Sequence, residues 1–69
     1  MNVYIVAVGE RGEGQVPYAV VTTLRAAKQV ARWDHGVQIG NELAGQPGRW
    51  MGSLNGTDEV WIYRMAVAS

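Results

Sequence analysis

Three strand-type apolar runs mark this chain, and a stretch of helical period separates the last from the first two. Val3 to Val8 reads Val-Tyr-Ile-Val-Ala-Val, a β-branched run that predicts a strand. Within it Val3, Ile5 and Ala7 point one way, and Tyr4, Val6 and Val8 the other. Gly9 to Gln15 follows, with three glycines and three charged residues, which reads as a solvated hairpin tip. Tyr18 to Thr22 is a second β-type run. Pro17 stands at its start, where a missing N–H is tolerated. The two runs predict an antiparallel hairpin. The period then changes. Leu24 to Trp33 consists almost wholly of good helix formers. Leu24, Ala27, Val30 and Ala31 fall on one side of that helix, and Arg25, Lys28, Gln29 and Arg32 on a stripe opposite. Thr22 or Thr23 supplies the N-cap. Gly36 suits the residue after the helix, and Arg32 and His35 suit the negative end of its dipole.

Val37 to Gly48 has no clear period. Asn41 to Ala44 reads as one helical turn inside a loop marked by Gly40, Gly45, Pro47 and Gly48. Arg49 to Leu54 predicts a strand weakened by Gly52, and Asn55-Gly56 is a strong hairpin signal. Val60 to Val67 is the third apolar run and the last strand. Val60, Ile62 and Ala66 share a side with Arg64, while Trp61, Tyr63, Met65 and Val67 share the other. The order strand, strand, helix, strand, strand predicts an α+β fold, ββαββ. It is a single domain, residues 1–69, with a four-stranded antiparallel sheet and one helix packed on one face.

That architecture leaves a problem. The first and last strands are apolar on both faces, but one helix covers only one. A solvated face should alternate with polar residues. The second face is therefore expected to be an interaction surface, supplied by Tyr4, Tyr18, Trp50, Trp61, Tyr63 and Met65, since interface centres are rich in aromatic residues and Met. A homodimer is the foremost expectation. Folding of the 37–48 loop over that face and docking of a foreign protein, such as a host component, are the alternatives. Size points the same way. A chain of 69 residues buries only about 60% of its unfolded surface. With no cysteine, disulfides and thiolate metal sites are excluded, which leaves self-association as the stabilising device.

Charge changes the picture in one place. Six basic and six acidic residues cancel, so the chain lacks the basic excess of a general nucleic-acid binder. Arg25, Lys28 and Arg32 nevertheless cluster on the helix stripe. They are candidates for contact with an anion or a partner, either a nucleic-acid backbone or an acidic protein surface. A nucleic-acid-binding dimer using this stripe is the alternative function. Trp33, Trp50 and Trp61 are candidate stacking platforms but read more simply as core and interface. Gly9 to Gly14 lacks the Lys-Ser/Thr ending of a phosphate-binding loop. Asp34 and His35 are adjacent, so they do not face each other on a helix, and the available nucleophiles are ordinary hydroxyls such as Ser53 and Thr57. Glu42, Asp58 and Glu59 have no interpretable spacing, and Glu59 reads as a cross-strand partner of Arg49 or Arg64. No catalytic residue, cofactor or metal is expected, and the reading is a non-enzymatic protein-interaction module. The N-terminus has no basic region before its apolar run and no run approaches a membrane span, so a cytoplasmic protein without membrane contact is expected.

Val3 to Gly9, the glycine-rich tip, and Ala19 to Lys28 together resemble small proteins of bacteriophages and actinobacteria. Those begin with a Val- and Tyr-rich strand, continue with a second strand and enter a helix through a Ser/Thr pair. The resemblance covers residues 3 to 33. It implies a strand–strand–helix scaffold and attaches no activity to it. It favours a phage accessory protein that binds or inhibits a host component.

Overall fold

The computed structural model describes residues 1–68. Its elements are β1 (Asn2–Glu10), β2 (Val16–Val21), α1 (Leu24–His35), β3 (Arg49–Ser53) and β4 (Asp58–Ala66). They form one antiparallel sheet in the order β2-β1-β4-β3, with α1 on one face, as the alternation of periods predicts. The two long apolar strands, β1 and β4, each have nine residues and lie at the centre. They pair from Asn2↔Ala66 to Glu10↔Asp58. The edges are the shorter β2 and β3, which limits the unpaired backbone offered to other chains.

Register decides which side chains form the core. Val6 lies opposite Ile62 and Val8 opposite Val60, and Trp50 of β3 also lies opposite Ile62. These residues share the face under α1, where Ala27 and Ala31 pack on them. The small alanines let the helix backbone approach the sheet. Val6, Val60 and Ile62 are fully buried, each stabilising the fold by about 1.5–3 kcal/mol. Thr23 has extended backbone (φ −134°, ψ 151°), and its Oγ1 accepts the Ala26 N–H at 3.1 Å. Gly36 adopts φ 68°, ψ 20°, a left-handed conformation that costs glycine little. The N–H groups of Gly36 and Val37 then close back on the carbonyls of Arg32 and Ala31. The helix thus runs to His35, two residues past Trp33.

The segment after the helix corrects two expectations. Residues 37–39 do not fold over the second face of the sheet, and Pro47 and Gly48 only border it beside Tyr63. Val37 and Ile39 are buried and Gln38 is exposed between them, as in a strand. They join the same core as α1 and lie directly on Gly52. The reason is width. A helix with its side chains is about 10–12 Å across, whereas four strands at about 4.8 Å spacing are wider. α1 packs on β1, β2 and β4, so β3 needs another cover, and residues 37–39 provide it. Nor do Asn41 to Ala44 form a helical turn. The Leu43 N–H donates to Arg49 O at 2.9 Å, the Gln46 N–H to Leu43 O at 3.1 Å, and the Gly48 N–H to the Glu42 carboxylate.

Two local features also differ. β2 begins at Val16 and contains Pro17, which an edge strand tolerates. Val6 pairs with Ala19 but Ala7 with Pro17, so Tyr18 occupies a bulge. At the second hairpin Asn55 and Gly56 both have negative φ, so the turn is not the two-residue primed type. Asn55 Oδ1 instead accepts the N–H groups of Thr57 (2.8 Å) and Asp58 (2.9 Å), a side-chain mimic of a backbone turn. Among the described residues no helix is long and apolar enough to cross a membrane.

Candidate functional site

The sheet face opposite α1 follows from the same register. Val3 lies opposite Met65, Ile5 opposite Tyr63 and Ala7 opposite Trp61. Val20 of β2 lies opposite Ile5, and Met51 of β3 opposite Trp61. No helix of the described residues covers this face; the hairpin tip at Arg11–Gln15 packs on one end of it, where Ala7 is fully buried, and Pro47 and Gly48 border it beside Tyr63. Met65 stays 55% exposed and Val20 64% exposed.

The centre of this face is ordered by its own polar contacts. Trp61 and Tyr63, two residues apart on β4, stack with centroids 5.8 Å apart and an interplanar angle of 11°. The Trp61 Nε1–H donates to Glu59 Oε1 at 3.2 Å. Glu59 is itself buried, and its Oε2 accepts from Arg11 Nε at 3.2 Å. The Tyr63 hydroxyl donates to Gln15 Oε1 at 2.9 Å, and the Arg49 guanidinium lies 5.6 Å from the Tyr63 ring centroid. Burial pushes the Tyr63 phenol above its ordinary value; Arg49 pulls it down and Glu59 pushes it up. Ile5, Pro17, Pro47, Arg49, Tyr63 and Met65 border a shallow depression of about 410 Å³ beside these rings. Rings fixed in advance lose little freedom on binding.

Three of the residues expected on this face, Trp61, Tyr63 and Met65, are brought together there. Tyr4, Trp50 and Tyr18 are not. Tyr4 alternates with Val6 and follows it under the helix side, where its ring lies 6.0 Å from Trp50. Trp50 is buried, and the Arg64 guanidinium lies 5.9 Å from its ring centroid. Tyr18, in the bulge, meets His35 edge-on at 5.4 Å. Its phenol is pushed up by burial and then by Asp34. Trp33 is 75% exposed on the outside of α1. The three tryptophans thus occupy three different surroundings and make no common stacking surface.

Arg25, Lys28 and Arg32 are brought together. With Leu24, Gln29, Gln38 and Ile39 they line a groove of about 430 Å³ between α1 and residues 37–39. No acidic residue lines it. The two ion pairs among the described residues lie elsewhere, Arg11–Glu59 at 3.2 Å and Arg64–Glu42 at 3.8 Å. Glu59 therefore does not pair with Arg49 or Arg64. Register sets it opposite Ser53 and Gly9, toward the hairpin tip that carries Arg11.

Sequence reasoning missed Arg11, Gln15 and Glu59 as the groups that orient the aromatic pair. The odd-numbered run Glu59, Trp61, Tyr63 places all three on one side of a strand, so part of that signal was present. The Gln38–Ile39 wall of the groove had no such signal. His35 makes no hydrogen bond to Ser53 or Thr57 among the described residues, and no group of three or more potential metal ligands clusters there. No family model, curated protein or solved structure matches the chain.

Proposed function

We propose that this protein is a non-enzymatic interaction module that self-associates through the sheet face opposite α1, with a second copy as the occupant. The observation that carries this reading is the pre-ordered Trp61–Tyr63 pair set among Val3, Ile5, Val20, Met51 and Met65 on the face that no helix covers, with Val20 and Met65 well exposed. Central strands of nine residues are about 30 Å long, and the sheet is nearly 20 Å across, roughly 500 Å² in plan after allowing for the shorter edges. Side chains make the accessible area larger than the plan. That approaches the low end of specific interfaces, about 600 Å² per partner. Net charge is zero, so two copies meet without overall repulsion. The polar tips of both rings are already bonded within the chain, so packing two such faces strands no hydroxyl or indole N–H.

The test is mass by light scattering over a concentration series. The dimer has twice the 7.5 kDa of the chain. Met65→Lys and Val20→Glu alter exposed positions outside the core, so folding survives. Each raises the dissociation constant at least tenfold. A wild-type mass of 7.5 kDa at every concentration would overturn the proposal, and so would a dimer indifferent to both substitutions.

A further inference from the structure

The groove on the opposite side of the molecule is independent of the sheet face. Its helix wall carries three of the six basic side chains in the protein, Arg25, Lys28 and Arg32, none of them in an ion pair among the described residues. Like charges crowded on about two turns of helix repel one another, a cost that an anionic ligand would relieve. Leu24 and the mostly buried Ile39 add apolar surface to the groove, and Gln38 lines it from the segment that follows the helix, the far wall.

That far wall has an unusual property. Residues 37–39 alternate buried, exposed, buried, but they belong to no strand pair. Beyond the Val37 N–H, which closes the helix end, the N–H groups of Gln38, Ile39 and Gly40 donate to no backbone carbonyl among the described residues. In an extended chain successive N–H and C=O groups point to alternate sides; Gln38 O lies against Gly52 of β3, so what this segment offers a ligand is its three N–H groups and the carbonyls of Ile39 and Gly40, which accept from no backbone N–H among the described residues.

We propose that this groove binds an extended acidic peptide segment. The peptide backbone pairs with residues 38–40, a one-strand extension. Alternate side chains then divide by chemistry: apolar ones rest on Leu24 and Ile39, and carboxylates reach Arg25, Lys28 and Arg32. The spacing agrees. The three basic Cα positions span about 10.5 Å along the helix axis, and carboxylates at every second position of an extended chain recur at about 6.6 Å. The long basic side chains take up the difference. A single-stranded nucleic acid fits less well. The groove holds no aromatic ring for base stacking.

The probe is a fluorescein-labelled octapeptide of alternating glutamate and valine, titrated with the full chain and followed by anisotropy. An alternating lysine–valine octapeptide and a labelled eight-nucleotide oligothymidylate are the comparisons. The acidic peptide is expected to saturate, and the other two to bind at least tenfold more weakly. Arg25→Gln with Arg32→Gln changes exposed side chains only, and the pair weakens binding tenfold or more. Arg11→Gln, on the other side of the molecule, leaves it unchanged. N-methylation of alternate peptide amides weakens binding at least tenfold in one of its two registers, which separates backbone pairing from charge attraction alone. Failure of the acidic peptide to saturate overturns the proposal. So does indifference to the Arg25/Arg32 change, equal loss with Arg11→Gln, or tighter binding of the oligonucleotide. Met65→Lys, which addresses the sheet face, leaves the peptide affinity unchanged, so the two proposals fail separately.

Discussion

Gly52 is where the cover of β3 is most sharply testable. A Cβ added there meets Val37 Cγ1 at 2.5 Å, Ile39 Cδ1 at 3.0 Å and Gln38 O at 3.1 Å. The first is closer than two carbons pack, and the last is backbone that cannot rotate away. Gly52→Ala therefore makes Val37 and its neighbours at 38 and 39 shift outward. Overpacking of this kind costs about 1–3 kcal/mol. Two effects oppose it. Alanine suits a strand better than glycine, and it restricts the unfolded chain, a gain of about 0.4–1 kcal/mol where no clash intervenes. The net loss is about 0–2.6 kcal/mol. In a domain of this size each kcal/mol moves the midpoint by about 4–8 °C, so Tm falls by up to roughly 20 °C. Thermal unfolding followed by far-ultraviolet circular dichroism reads this directly. The sign is the diagnostic. If residues 37–39 did not rest on Gly52, alanine would raise Tm, and a rise would refute the packing described for this face. Gly52→Ala also shifts one wall of the basic groove, so affinity for the acidic peptide falls with it.

Other consequences follow from single contacts. Thr23→Ala removes the acceptor of the Ala26 N–H and lowers stability by about 1 kcal/mol; Thr23→Asp retains the cap, so chemical denaturation that ranked aspartate with alanine would contradict the assignment. Ile62→Ala opens a cavity at the fully buried centre of the sheet and costs about 2–5 kcal/mol, whereas an effect under 1 kcal/mol would show that Ile62 is not central. The phenols of Tyr18 and Tyr63 are raised above 10.0, chiefly by burial. The folded protein therefore holds these protons more tightly than the unfolded chain. Their contribution to stability is complete below pH 10 and is lost as pH rises through the folded values. Phenolate absorbance in Tyr18→Phe and Tyr63→Phe identifies which titrations lie above 10, and either phenol titrating below 10 in the folded protein would contradict the burial.

Much of the scaffold is written in local patterns. The β-branched runs at Val3–Val8 and Val60–Val67, the alanine-rich helix, Thr23 before it and Gly36 after it each specify their conformation through short-range sterics and hydrogen bonds. Parity along a strand also makes it certain that Trp61 and Tyr63 share a side. The helix stripe of Arg25, Lys28 and Arg32 is equally local, because residues three and four apart are neighbours on any helix.

Parity within one strand says nothing of its alignment with another. Only the tertiary register, with Val6 against Ile62, sends Tyr4 and Trp50 under the helix and leaves Trp61, Tyr63 and Met65 on the other face. Only the bulge opposite Val6 and Ala7 turns Tyr18 toward His35. The 37–48 segment has no period of its own, and the unmet width of the sheet beside α1 decides where it lies. The same cause makes the groove: the basic stripe belongs to the helix alone, but its opposite wall exists because β3 had to be covered. Local chemistry thus determined the elements and the makeup of their faces. Long-range packing, which satisfies the buried surface of all four strands at once, decided which faces meet and which remain open.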